Sequence, residues 1–371
     1  MKTFTFRRNT RKNAVAAVSL GADVTTKKAT IKDVAREANV SIASVSRVLN
    51  GLGGVTVETQ QAVRKAATKL HYVPDSAARS LITGRTHTVG AVLPDLYGEF
   101  FSELIRGIDL AARAKGLHLL VSSSHDGVED AAAAVRTMRG RVDGMIILSE
   151  FVDGEFLDRN LPSDLPAVLL DSPVDSQRYP SINIDNIAGA QAMVKHLLDA
   201  GHPSVAFITG PAGNYDAQER EKGYRTAMAE HAPNAGLNVV AGDFSEESGY
   251  RAGRELLAQA KRPRAVFAAN DMMAVGCLYA FKEAGVRVPE DIALAGFDDI
   301  LIARYVSPSL STVSVSIADL GKSALLLLTE LMEGKGPQGS NTRTLRCDVV
   351  VRESCGAHQT NVATKQPPAL V

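Results

Sequence analysis

A short stretch near the amino terminus carries side chains that suit contact with DNA. Within residues 30–50 they are three serines and one arginine, Ser41, Ser44, Ser46 and Arg47. Serine hydroxyls can donate hydrogen bonds to phosphate oxygens, and an arginine can bridge guanine O6 and N7 with two hydrogen bonds. Ile42 and Ala43 lie beside them without side-chain donors, so they can favour thymine methyl groups but specify little. The alternative interpretation is an ordinary helical hairpin with a solvated polar face.

A second set of polar residues follows predicted strands in the long remainder of the chain. It contains carboxylates, one amide and one guanidinium, at Asp95, Asp171, Arg220, Asn270 and Asp298. In parallel sheets, ligands bind beyond the carboxyl ends of the strands. Such groups converging on one cleft would satisfy the vicinal hydroxyls of a sugar, and Phe100, Phe101 and Tyr215 could stack on its apolar face.

The sequence lacks the common signatures of catalysis. Lys322 and Ser323 end a run that resembles a phosphate loop, but Ser316 stands where that pattern needs a glycine. No G-x-S-x-G motif is present, and the eight histidines include no i, i+4 pair that could hold a metal. His196 and His202 are predicted to be helix-end or core residues. We therefore predict no enzyme activity, no catalytic residue, no metal site and no cofactor.

Residues 30–50 are predicted to form two short helices joined by a tight turn. Thr30 is suited to cap the first helix, with Asp33 in a capping-box-like position. Asn39 tolerates the left-handed conformation that a tight helix exit needs, and Ser41 can cap the second helix. Apolar residues recur at helical spacing, at Ile31, Val34, Ala35, Ala38, Val45, Val48 and Leu49. This is the pattern of a helix-turn-helix, whose second helix enters the major groove, and a third helix is predicted over about residues 57–70.

From residue 89 onward, apolar strands alternate with amphipathic helices. The predicted strands are residues 89–93, 118–122, 143–148, 167–170, 205–209, 265–268 and 292–295. The predicted helices include residues 99–115, 187–200, 217–230, 246–260 and 272–284. This alternation predicts doubly wound parallel sheets. Its length predicts two lobes, roughly residues 88–184 and 185–310, with residues 311–341 and 342–354 crossing back to complete first one lobe and then the other.

Each polar residue of the predicted cleft also has an interpretation without a ligand. Asn270 and Asp298 could be helix N-caps, and Asp95 and Asp171 could lie in surface turns. Arg220 could form a salt bridge between the lobes. We prefer ligand binding for all five, because four of them follow strands directly and Arg220 lies at the start of a helix after the loop 210–216, which brings all five to the same cleft.

The order of short motifs along the chain resembles that of the lactose/galactose repressor (LacI/GalR) family. Residues 33–50 match D-V-A-x-x-A-x-V-S-x-x-(S/T)-V-S-R-V-L-N, and H-Y-V-P-D follows at 71–75. Further motifs fall in the family's order, D-N at 185–186, G-H at 201–202, N-D at 270–271, G-F-D-D at 296–299 and V-R-E-S-C at 351–355. The resemblance covers residues 29–356, nearly the whole chain.

That resemblance implies an N-terminal, all-α helix-turn-helix headpiece and an α/β two-lobed domain like that of periplasmic binding proteins. The predicted segments are a disordered basic extension (1–28), the headpiece (29–74), a hinge helix or linker (75–87), a two-lobed effector-binding and dimerisation domain (88–355) and a flexible tail (356–371). In the family, paired hinge helices insert one leucine each into the minor groove and bend the duplex. Leu81 occupies that place here, and a plain packing role is the alternative.

Two sets of site residues follow from these arguments. The predicted DNA-binding set is Thr30, Ser41, Ile42, Ala43, Ser44, Ser46, Arg47, Asn50, Tyr72, Ala78 and Leu81. The predicted effector-binding set is Asp95, Phe100, Asp171, Arg220, Asn270 and Asp298. Within it, the resemblance implies pocket positions at Asp171, Arg220, Asn270 and Asp298.

The charge distribution supports a DNA-binding amino terminus. Residues 1–85 contain 15 Lys/Arg and 5 Asp/Glu, whereas the rest of the chain contains 26 and 36, although the whole chain has a net charge of zero. A basic end on an acidic body suits a protein that places only that end on a polyanion. A merely basic terminus is the alternative, which the helix-turn-helix pattern inside the segment disfavours.

The remaining features concern location and assembly. Three cysteines without metal-ligand spacing or an even-numbered disulfide framework, together with short apolar runs, predict a cytoplasmic protein without a membrane span, associated with the nucleoid when bound to an operator. Arg7 and Arg8 before residues 14–20 faintly resemble an export signal, but that apolar stretch is short. The tail lacks heptad leucines, which favours a dimer over a tetramer.

We therefore predict a homodimeric transcriptional regulator, most simply a repressor, that binds a palindromic DNA operator under the control of a small-molecule effector. A sugar or sugar derivative leads as effector, and a nucleobase or nucleoside is the alternative. A solute-binding protein that feeds a transporter is the rival from another class, and a sugar-modifying enzyme is third. The rival would need an export signal and no headpiece.

Overall fold

The structure is a computed structural model that describes residues 29–51, 53–73, 80, 84–125, 127–149, 151–174, 178–336 and 341–356. The chain divides into two compact units at Gly84. The predicted basic extension, most of the predicted hinge with Ala78 and Leu81, and residues 357–371 of the predicted tail lie outside the described residues.

Three described helices of the first unit pack around a small apolar core. They are α1 (Ile31–Glu37), α2 (Ile42–Leu49) and α3 (Val57–Lys69). Each helix contributes two buried residues to this core, which are Val34, Ala35, Val45, Val48, Val63 and Ala66. These positions agree with the helical spacing of the sequence, which confirms the predicted helix-turn-helix with a third supporting helix.

Local side-chain chemistry sets the helix ends of this unit as predicted. Oδ2 of Asp33 accepts hydrogen bonds from the backbone N–H of Thr30 at 2.9 Å and from its hydroxyl at 2.7 Å. Asn39 has a φ of 53° at the exit from α1, a left-handed conformation that asparagine tolerates. Oγ of Ser41 accepts from the N–H of Ser44 at 3.1 Å and caps α2.

The second unit contains two six-stranded sheets within its described residues. The first sheet is formed by β1 (Thr88–Leu93), β2 (His118–Ser123), β3 (Gly144–Ile147), β4 (Ala167–Leu170), β5 (Ser181–Ile184) and β11 (Thr342–Leu345). Its order is β11-β5-β4-β3-β1-β2, and all its pairings are parallel. The buried central strands are almost continuously apolar, as expected where helices cover both faces of a parallel sheet.

The second sheet repeats this design with one antiparallel edge. Its strands are β6 (Ala206–Ile208), β7 (Asn238–Val240), β8 (Ala265–Ala268), β9 (Ala293–Asp298), β10 (Ser311–Ser314) and β12 (Asp348–Val350). The order is β12-β10-β9-β8-β6-β7, and only β12 runs antiparallel to its neighbour. The two sheets define the first and second lobes, so the predicted fold class is confirmed.

Helices connect the strands and cover the sheets. They are α4 (Glu99–Ala114), α5 (Val128–Met138), α6 (Gly154–Asn160), α7 (Asn186–Asp199), α8 (Tyr215–His231), α9 (Glu246–Ala258), α10 (Asp271–Glu283) and α11 (Ile317–Met332). In the second lobe α9 and α10 approach very closely at two glycines. A Cβ on Gly276 would lie 1.9 Å from the carbonyl oxygen of Glu246, and one on Gly249 would lie 2.1 Å from that of Met273. No larger residue fits at either position without moving a helix.

The chain passes between the lobes three times. It leaves the first lobe after β5, returns to it with α11, which packs against α4, β3 and β4, and leaves it again after β11 to form β12. The predicted return is therefore correct in outline, but its boundaries were wrong. Residues 311–314 still belong to the second lobe as β10, and residues 342–345 still belong to the first as β11.

The end of the described chain is fastened to the second lobe by two histidines. Nε2 of His202 lies 3.0 Å from the carbonyl oxygen of Cys355, and Nε2 of His196 lies 3.4 Å from its Sγ. Both histidines are at or just beyond the end of α7, as predicted. The three cysteines form no disulfide, and no helix among the described residues is long and apolar enough to cross a membrane.

Candidate functional site

One face of α2 is exposed and carries the predicted base-reading residues. Ser41, Ile42, Ala43 and Arg47 are exposed, with 45% of Ile42 accessible, while Val45 and Val48 are buried on the opposite face. Ile42 offers an apolar side chain at the first turn of α2, which suits contact with a thymine methyl group. This face can therefore approach a groove without disturbing the core.

The serines of α2 are linked to one another and to the helix. Oγ of Ser41 lies 2.9 Å from Oγ of Ser44, and the amide of Asn50 donates to Oγ of Ser46 at 3.2 Å. The hydroxyl positions are thus held by the headpiece itself. Fixed donors lose little conformational entropy when they contact phosphate.

Arg47 differs from the neighbouring cations. Arg36 forms an ion pair with Asp33 at 3.1 Å, and Lys69 forms one with Glu37 at 2.6 Å. Among the described residues, Arg47 forms no ion pair and no side-chain hydrogen bond. Its guanidinium donors are therefore available for a partner outside the unit.

The other predicted DNA-binding residues have structural contacts or lie outside the described part. Both polar groups of Thr30 donate to Asp33, and Tyr72 packs against the headpiece core. Ala78 and Leu81 lie outside the described residues, so their predicted role stays a prediction.

A cavity of about 350 Å³ opens between the two lobes, at the carboxyl ends of both sets of strands. Five of the six predicted effector-binding residues line it, Asp95, Phe100, Arg220, Asn270 and Asp298. The first two come from the first lobe, beyond β1 and on α4, and the other three come from the second lobe. The cavity is within the size range of small-molecule sites.

A buried ion pair forms the floor of the cavity in the second lobe. Nη1 of Arg220 lies 3.2 Å from Oδ1 of Asp298, and the two residues are only 2% and 5% exposed. Both belong to the second lobe, so the alternative of a salt bridge between lobes for Arg220 was wrong. Asp298 ends β9 with a φ of 113°, a strained conformation for a residue other than glycine. It is not a helix N-cap, which was the alternative for this residue.

The remaining contacts of Arg220 hold its guanidinium in place. Nε donates to Oδ1 of Asn186 at 2.8 Å, and Nη1 donates to the carbonyl oxygen of Ala269 at 2.6 Å. The guanidinium carbon lies 3.9 Å from the ring centroid of Phe297. Asn186 in turn donates to Oδ1 of Asp216 at 2.7 Å. The result is one rigid chain of polar groups from Asp216 to Asp298.

Burial shifts the acids of this region towards the protonated form. It raises the pKa of Asp298 to about 7, because the loss of solvent outweighs the attraction of Arg220, and the charge of Asp216 adds to the rise. Burial also raises the pKa of Asp216, against the opposing effects of Arg220 and Asn186. The pKa of Asp271, which is fully buried beneath the cavity, is raised well above its usual value by burial and by the charge of Asp298.

Asp171 is the one predicted effector-binding residue that does not line the cavity. Its Oδ1 accepts from the N–H of Ile184 at 2.8 Å, and its Oδ2 is buried without a hydrogen-bond partner. Burial and the charge of Asp216 raise its pKa well above the usual range. Asp171 therefore lies behind the cavity, at the first crossing between lobes, and not in a solvated surface turn.

Asn270 and Asp95 combine a local role with a place in the cavity wall. Oδ1 of Asn270 accepts from the N–H of Met273 at 2.9 Å and caps α10, while its amide donates to the carbonyl of Phe244 at 3.0 Å. Oδ1 of Asp95 accepts from the N–H groups of Leu96 and Tyr97 at 2.6 and 3.2 Å. The cap and turn interpretations of these two residues are thus correct, and they do not exclude contact with a ligand.

The sequence interpretation missed several residues of the lining. They include His125, Asp216, Asp243, Phe244 and Glu246. Asp243 and Phe244 follow β7, a strand of three residues that the apolar pattern did not predict. Asp216 and Glu246 lie in the first turns of helices whose starts were predicted within two residues, so the convergence of helix starts on the cavity was the signal that could have found them.

Two hydrogen bonds join the lobes at the cavity. The hydroxyl of Tyr97 in the first lobe donates to Oε1 of Glu246 in the second at 3.1 Å. The N–H of Ile302 donates to Oε2 of Glu99 at 3.1 Å. Among the described residues, no group of histidine, cysteine or acidic side chains could hold a metal ion.

Comparison with protein families matches both parts of the chain. A family described as bacterial regulatory proteins, lacI family, matches residues 30–75. A periplasmic binding protein-like domain matches residues 194–355.

Individual relatives are similar over most of the chain. The chain is 35% identical over 306 residues to catabolite control protein A of Priestia megaterium, which covers 82% of this chain and 92% of that protein. It is 34% identical over 329 residues to the HTH-type transcriptional repressor PurR of Photobacterium profundum, covering 88% and 98%. The crystal structure of the lac repressor dimer bound to operator and the anti-inducer ONPF has a TM-score of 0.80 and 29% identity, covering 89% and 99%.

Proposed function

The chain belongs to the LacI family of bacterial regulatory proteins, and from that premise we propose that it is a homodimeric repressor whose affinity for a palindromic operator is controlled by a sugar bound between its lobes. Regulators of this family are DNA-binding proteins with an effector-binding domain, and they are not enzymes. The observation that carries the proposal is the presence, in one chain, of an exposed, unpaired Arg47 on α2 and of the interlobe cavity.

The DNA-binding role rests on the exposed face of α2. Ser41 and Ser44 donate to phosphates and fix the position of the helix, whereas Arg47 reads a guanine edge. Ile42 and Ala43 contact thymine methyl groups. The lac repressor structure is that of a dimer on an operator, which supports two headpieces of this chain reading two half-sites.

The linker between headpiece and lobes couples effector binding to operator affinity. We assign residues 75–87 to a hinge that forms a short helix on DNA, where Leu81 inserts into the minor groove. So short a helix is unstable alone in water, and therefore its formation depends on the spacing of two copies. An effector that changes this spacing therefore changes hinge formation, and with it the affinity for the operator.

The effector role rests on the chemistry of the cavity wall. Asp298 and Asn270 offer acceptors and a donor to adjacent hydroxyls, and Phe100 offers an apolar face. Asp216, which the sequence interpretation missed, adds a second carboxylate on the same wall. Arg220 positions Asp298 through the buried ion pair.

Control of DNA affinity follows from different effector affinities in two lobe arrangements. An effector that touches both walls stabilises the closed arrangement, in which Tyr97 meets Glu246 and Glu99 meets Ile302. The operator must also bind more tightly to one of the two lobe arrangements. Effector and operator then change each other's affinity by the same coupling free energy. An inducer favours the arrangement that prevents hinge formation, and a corepressor favours the other.

A nucleobase or nucleoside is the second candidate effector. Three phenylalanine rings line the cavity, Phe100, Phe101 and Phe244, and flat bases stack on such rings. One relative is a PurR repressor. The experiment below distinguishes the two classes directly.

The test is selection of bound DNA from a random pool by the full chain at moderate salt. The selected operator is then challenged with a panel of sugars and nucleosides. We expect a palindrome with a flexible central step, bound tightly in the absence or presence of one compound only. The Arg47→Ala variant serves as the matched control, because it keeps the cavity and loses base reading.

Two outcomes contradict the proposal. Only salt-sensitive binding without sequence preference means that the headpiece contacts phosphates but reads no operator. Tight binding of a sugar without any change in operator affinity means that the lobes act only as a solute-binding domain. That result would support the rival interpretation, a solute-binding protein that feeds a transporter.

A further inference from the structure

The cavity between the lobes is strongly acidic. Six carboxylates line it, Asp95, Glu99, Asp216, Asp243, Glu246 and Asp298. Only Arg220 and His125 can oppose them from the lining. Two of the six are balanced, since Asp298 pairs with Arg220 at 3.2 Å and Asp243 with Arg251 at 3.3 Å. Within the described part of the chain, the other four form no ion pair. Because burial raises the pKa of Asp216, the negative potential rests on Asp95, Glu99 and Glu246.

The single guanidinium of the cavity is already committed to internal partners. Its Nε binds Asn186, and its Nη1 contacts both the carbonyl of Ala269 and the carboxylate of Asp298. Phosphate and carboxylate ligands are normally held by an arginine fork whose paired donors are free. No complete fork is free here, because Nε and Nη1 of Arg220 already contact protein acceptors and, among the described residues, only Nη2 remains for a ligand.

Four helices begin at the cavity, which would ordinarily favour an anion. Their N-cap residues are Gly98, Asn214, Ser245 and Asn270. At three of the four, a side-chain oxygen of the cap already accepts a first-turn N–H, at 3.0 Å for Ala217, 3.1 Å for Ser248 and 2.9 Å for Met273. Each of the four helices also has an acid in its first turn. At three of the four helix starts, a protein oxygen therefore takes one of the N–H groups that an incoming anion could use, and at all four an acid opposes the anion's charge.

One acceptor remains unsatisfied in the wall. Oδ1 of Asp298 is buried and, apart from the ion pair with Arg220, accepts no hydrogen bond. Asp298 is 5% exposed and lines the cavity. A ligand hydroxyl would donate a hydrogen bond to this oxygen. An anionic ligand oxygen is itself an acceptor, so this carboxylate oxygen would repel it.

We infer that this cavity selects its effector by charge, admitting a neutral, hydroxyl-rich molecule and rejecting the phosphate esters of that molecule and other small anions. This inference rests on the proposed function for its biological meaning, because it names the class of the effector. The charge selectivity itself is a property of the cavity and can be measured without knowing the effector.

The first test uses the absence of tryptophan from the chain. Phe100→Trp places a single fluorophore in the cavity wall, and Tyr279→Trp places one on α10 outside the cavity, where the side chain is 60% exposed. Fluorescence of each full-length variant is titrated with caesium, iodide and neutral acrylamide at constant ionic strength. Because a negative potential concentrates cations and excludes anions, we expect the caesium-to-iodide quenching ratio to be at least about threefold higher for F100W than for Y279W.

Removal of unpaired carboxylates should abolish the difference in caesium-to-iodide quenching ratio between F100W and Y279W. In the F100W background, Asp95→Asn with Glu246→Gln is expected to raise iodide quenching and lower caesium quenching, with acrylamide quenching unchanged. Tyr97→Trp, at the mouth of the cavity, is the second probe if Phe100→Trp does not fold. Equal quenching by the two ions in a folded cavity variant, or stronger quenching by iodide, overturns the inference.

The second test uses matched ligand pairs in the operator-release assay, for example glucose with glucose 6-phosphate and ribose with ribose 5-phosphate. The neutral member of the active pair should act at a concentration at least about 100-fold lower than its phosphate ester. Release by the phosphate ester at equal or lower concentration overturns the charge inference and leaves the proposed function standing. If no compound acts on the operator, the proposed function fails, and the quenching ratios alone decide the charge selectivity.

Discussion

One carboxylate oxygen of Asp143 accepts both the backbone N–H and the hydroxyl of Thr86, at 2.6 and 2.8 Å. The other oxygen accepts the N–H of His87 at 2.8 Å. Asp143 lies immediately before β3, so the segment that enters the first lobe is fastened to the start of a central strand. A movement of that lobe therefore moves this segment with it.

Replacement of Asp143 by asparagine should weaken this transmission. Hydrogen bonds to a charged acceptor contribute about 1.5–3 kcal/mol each, and the amide group cannot accept on both sides. We expect operator affinity to fall about tenfold and the response to effector to shrink, with effector affinity within about twofold of the parent. Operator binding measured with and without effector checks this. Asp109→Asn, which breaks only an exposed pair with Arg113 in the same lobe, is the control, and equal losses in both variants would contradict the assignment.

The ion pair of Arg220 and Asp298 should be sensitive to removal of one partner. Arg220→Met leaves Asp298 buried without its counter-charge, and such changes cost about 3–5 kcal/mol. Urea unfolding at pH 8 should show a loss of this size, and Arg220→Met with Asp298→Asn should recover part of it. The recovery will be incomplete because Asn186 and the carbonyl of Ala269 also lose their donor. A single variant within about 1 kcal/mol of the parent would contradict the buried pair.

The titration of Asp298 should also change how the free energy of unfolding depends on pH. Its pKa is about 7 in the folded protein and about 3.8 for the ordinary carboxyl. Because the folded state holds this proton more tightly, the group stabilises the fold fully below pH 4, and that contribution is lost as the pH rises to about 7. Asp298→Asn removes this titration. The free energy of unfolding of the variant, relative to the parent, should therefore increase from pH 4 to 7 and then stay constant, whereas a flat difference would place the pKa elsewhere.

The hydrogen bond between Tyr97 and Glu246 should favour the closed arrangement of the lobes. Tyr97→Phe removes the donor and keeps the ring, so lobe closure should become less favourable by about 0.5–1.5 kcal/mol. The identified effector should then bind about two- to tenfold more weakly, which calorimetry can measure. Tyr279→Phe, on α10 outside the cavity, should have no effect. Unchanged affinity in both variants would mean that closure does not depend on this contact.

Arg47 and Lys65 should differ in their effects on DNA binding. Arg47→Ala should cost about 1–3 kcal/mol on the operator and leave binding to unrelated DNA nearly unchanged, because a base contact carries specificity. Lys65→Ala, on the exposed side of α3, should weaken binding to all sequences alike if it faces a phosphate. Mobility shifts on operator and scrambled DNA separate the two. A uniform loss for Arg47→Ala would assign this residue to the backbone.

The headpiece was the most predictable part of the structure. Its helix ends depend on residues three apart in sequence, such as Thr30 with Asp33 and Ser41 with Ser44, and on the conformational tolerance of Asn39. These are local preferences, so the sequence alone carries them. The central strands were equally clear, because strands buried on both faces are continuously apolar.

The cavity was predictable only in part, because its chemistry depends on residues far apart in the chain. The strand-end rule found Asp95, Asn270 and Asp298. It could not show that Asn186 and Ala269 would hold Arg220 within one lobe. Asp171 follows its strand as expected, but the close approach of Ile184 turns its carboxylate towards the backbone and away from the cavity wall.

The three crossings of the chain have a consequence for synthesis on the ribosome. A nascent chain that has reached residue 314 contains five of the six strands of each sheet, and the edges of β5 and β10 still lack their neighbours. Both edges are covered only by β11 and β12, within residues 342–350. Neither sheet can therefore be completed before residues 342–350 are synthesised, and a chain that stops before residue 342 would have two unfinished lobes with open strand edges, which are prone to pair with other chains. The headpiece, whose contacts are local, can form long before, so such a product would carry a DNA-binding head without a working control domain.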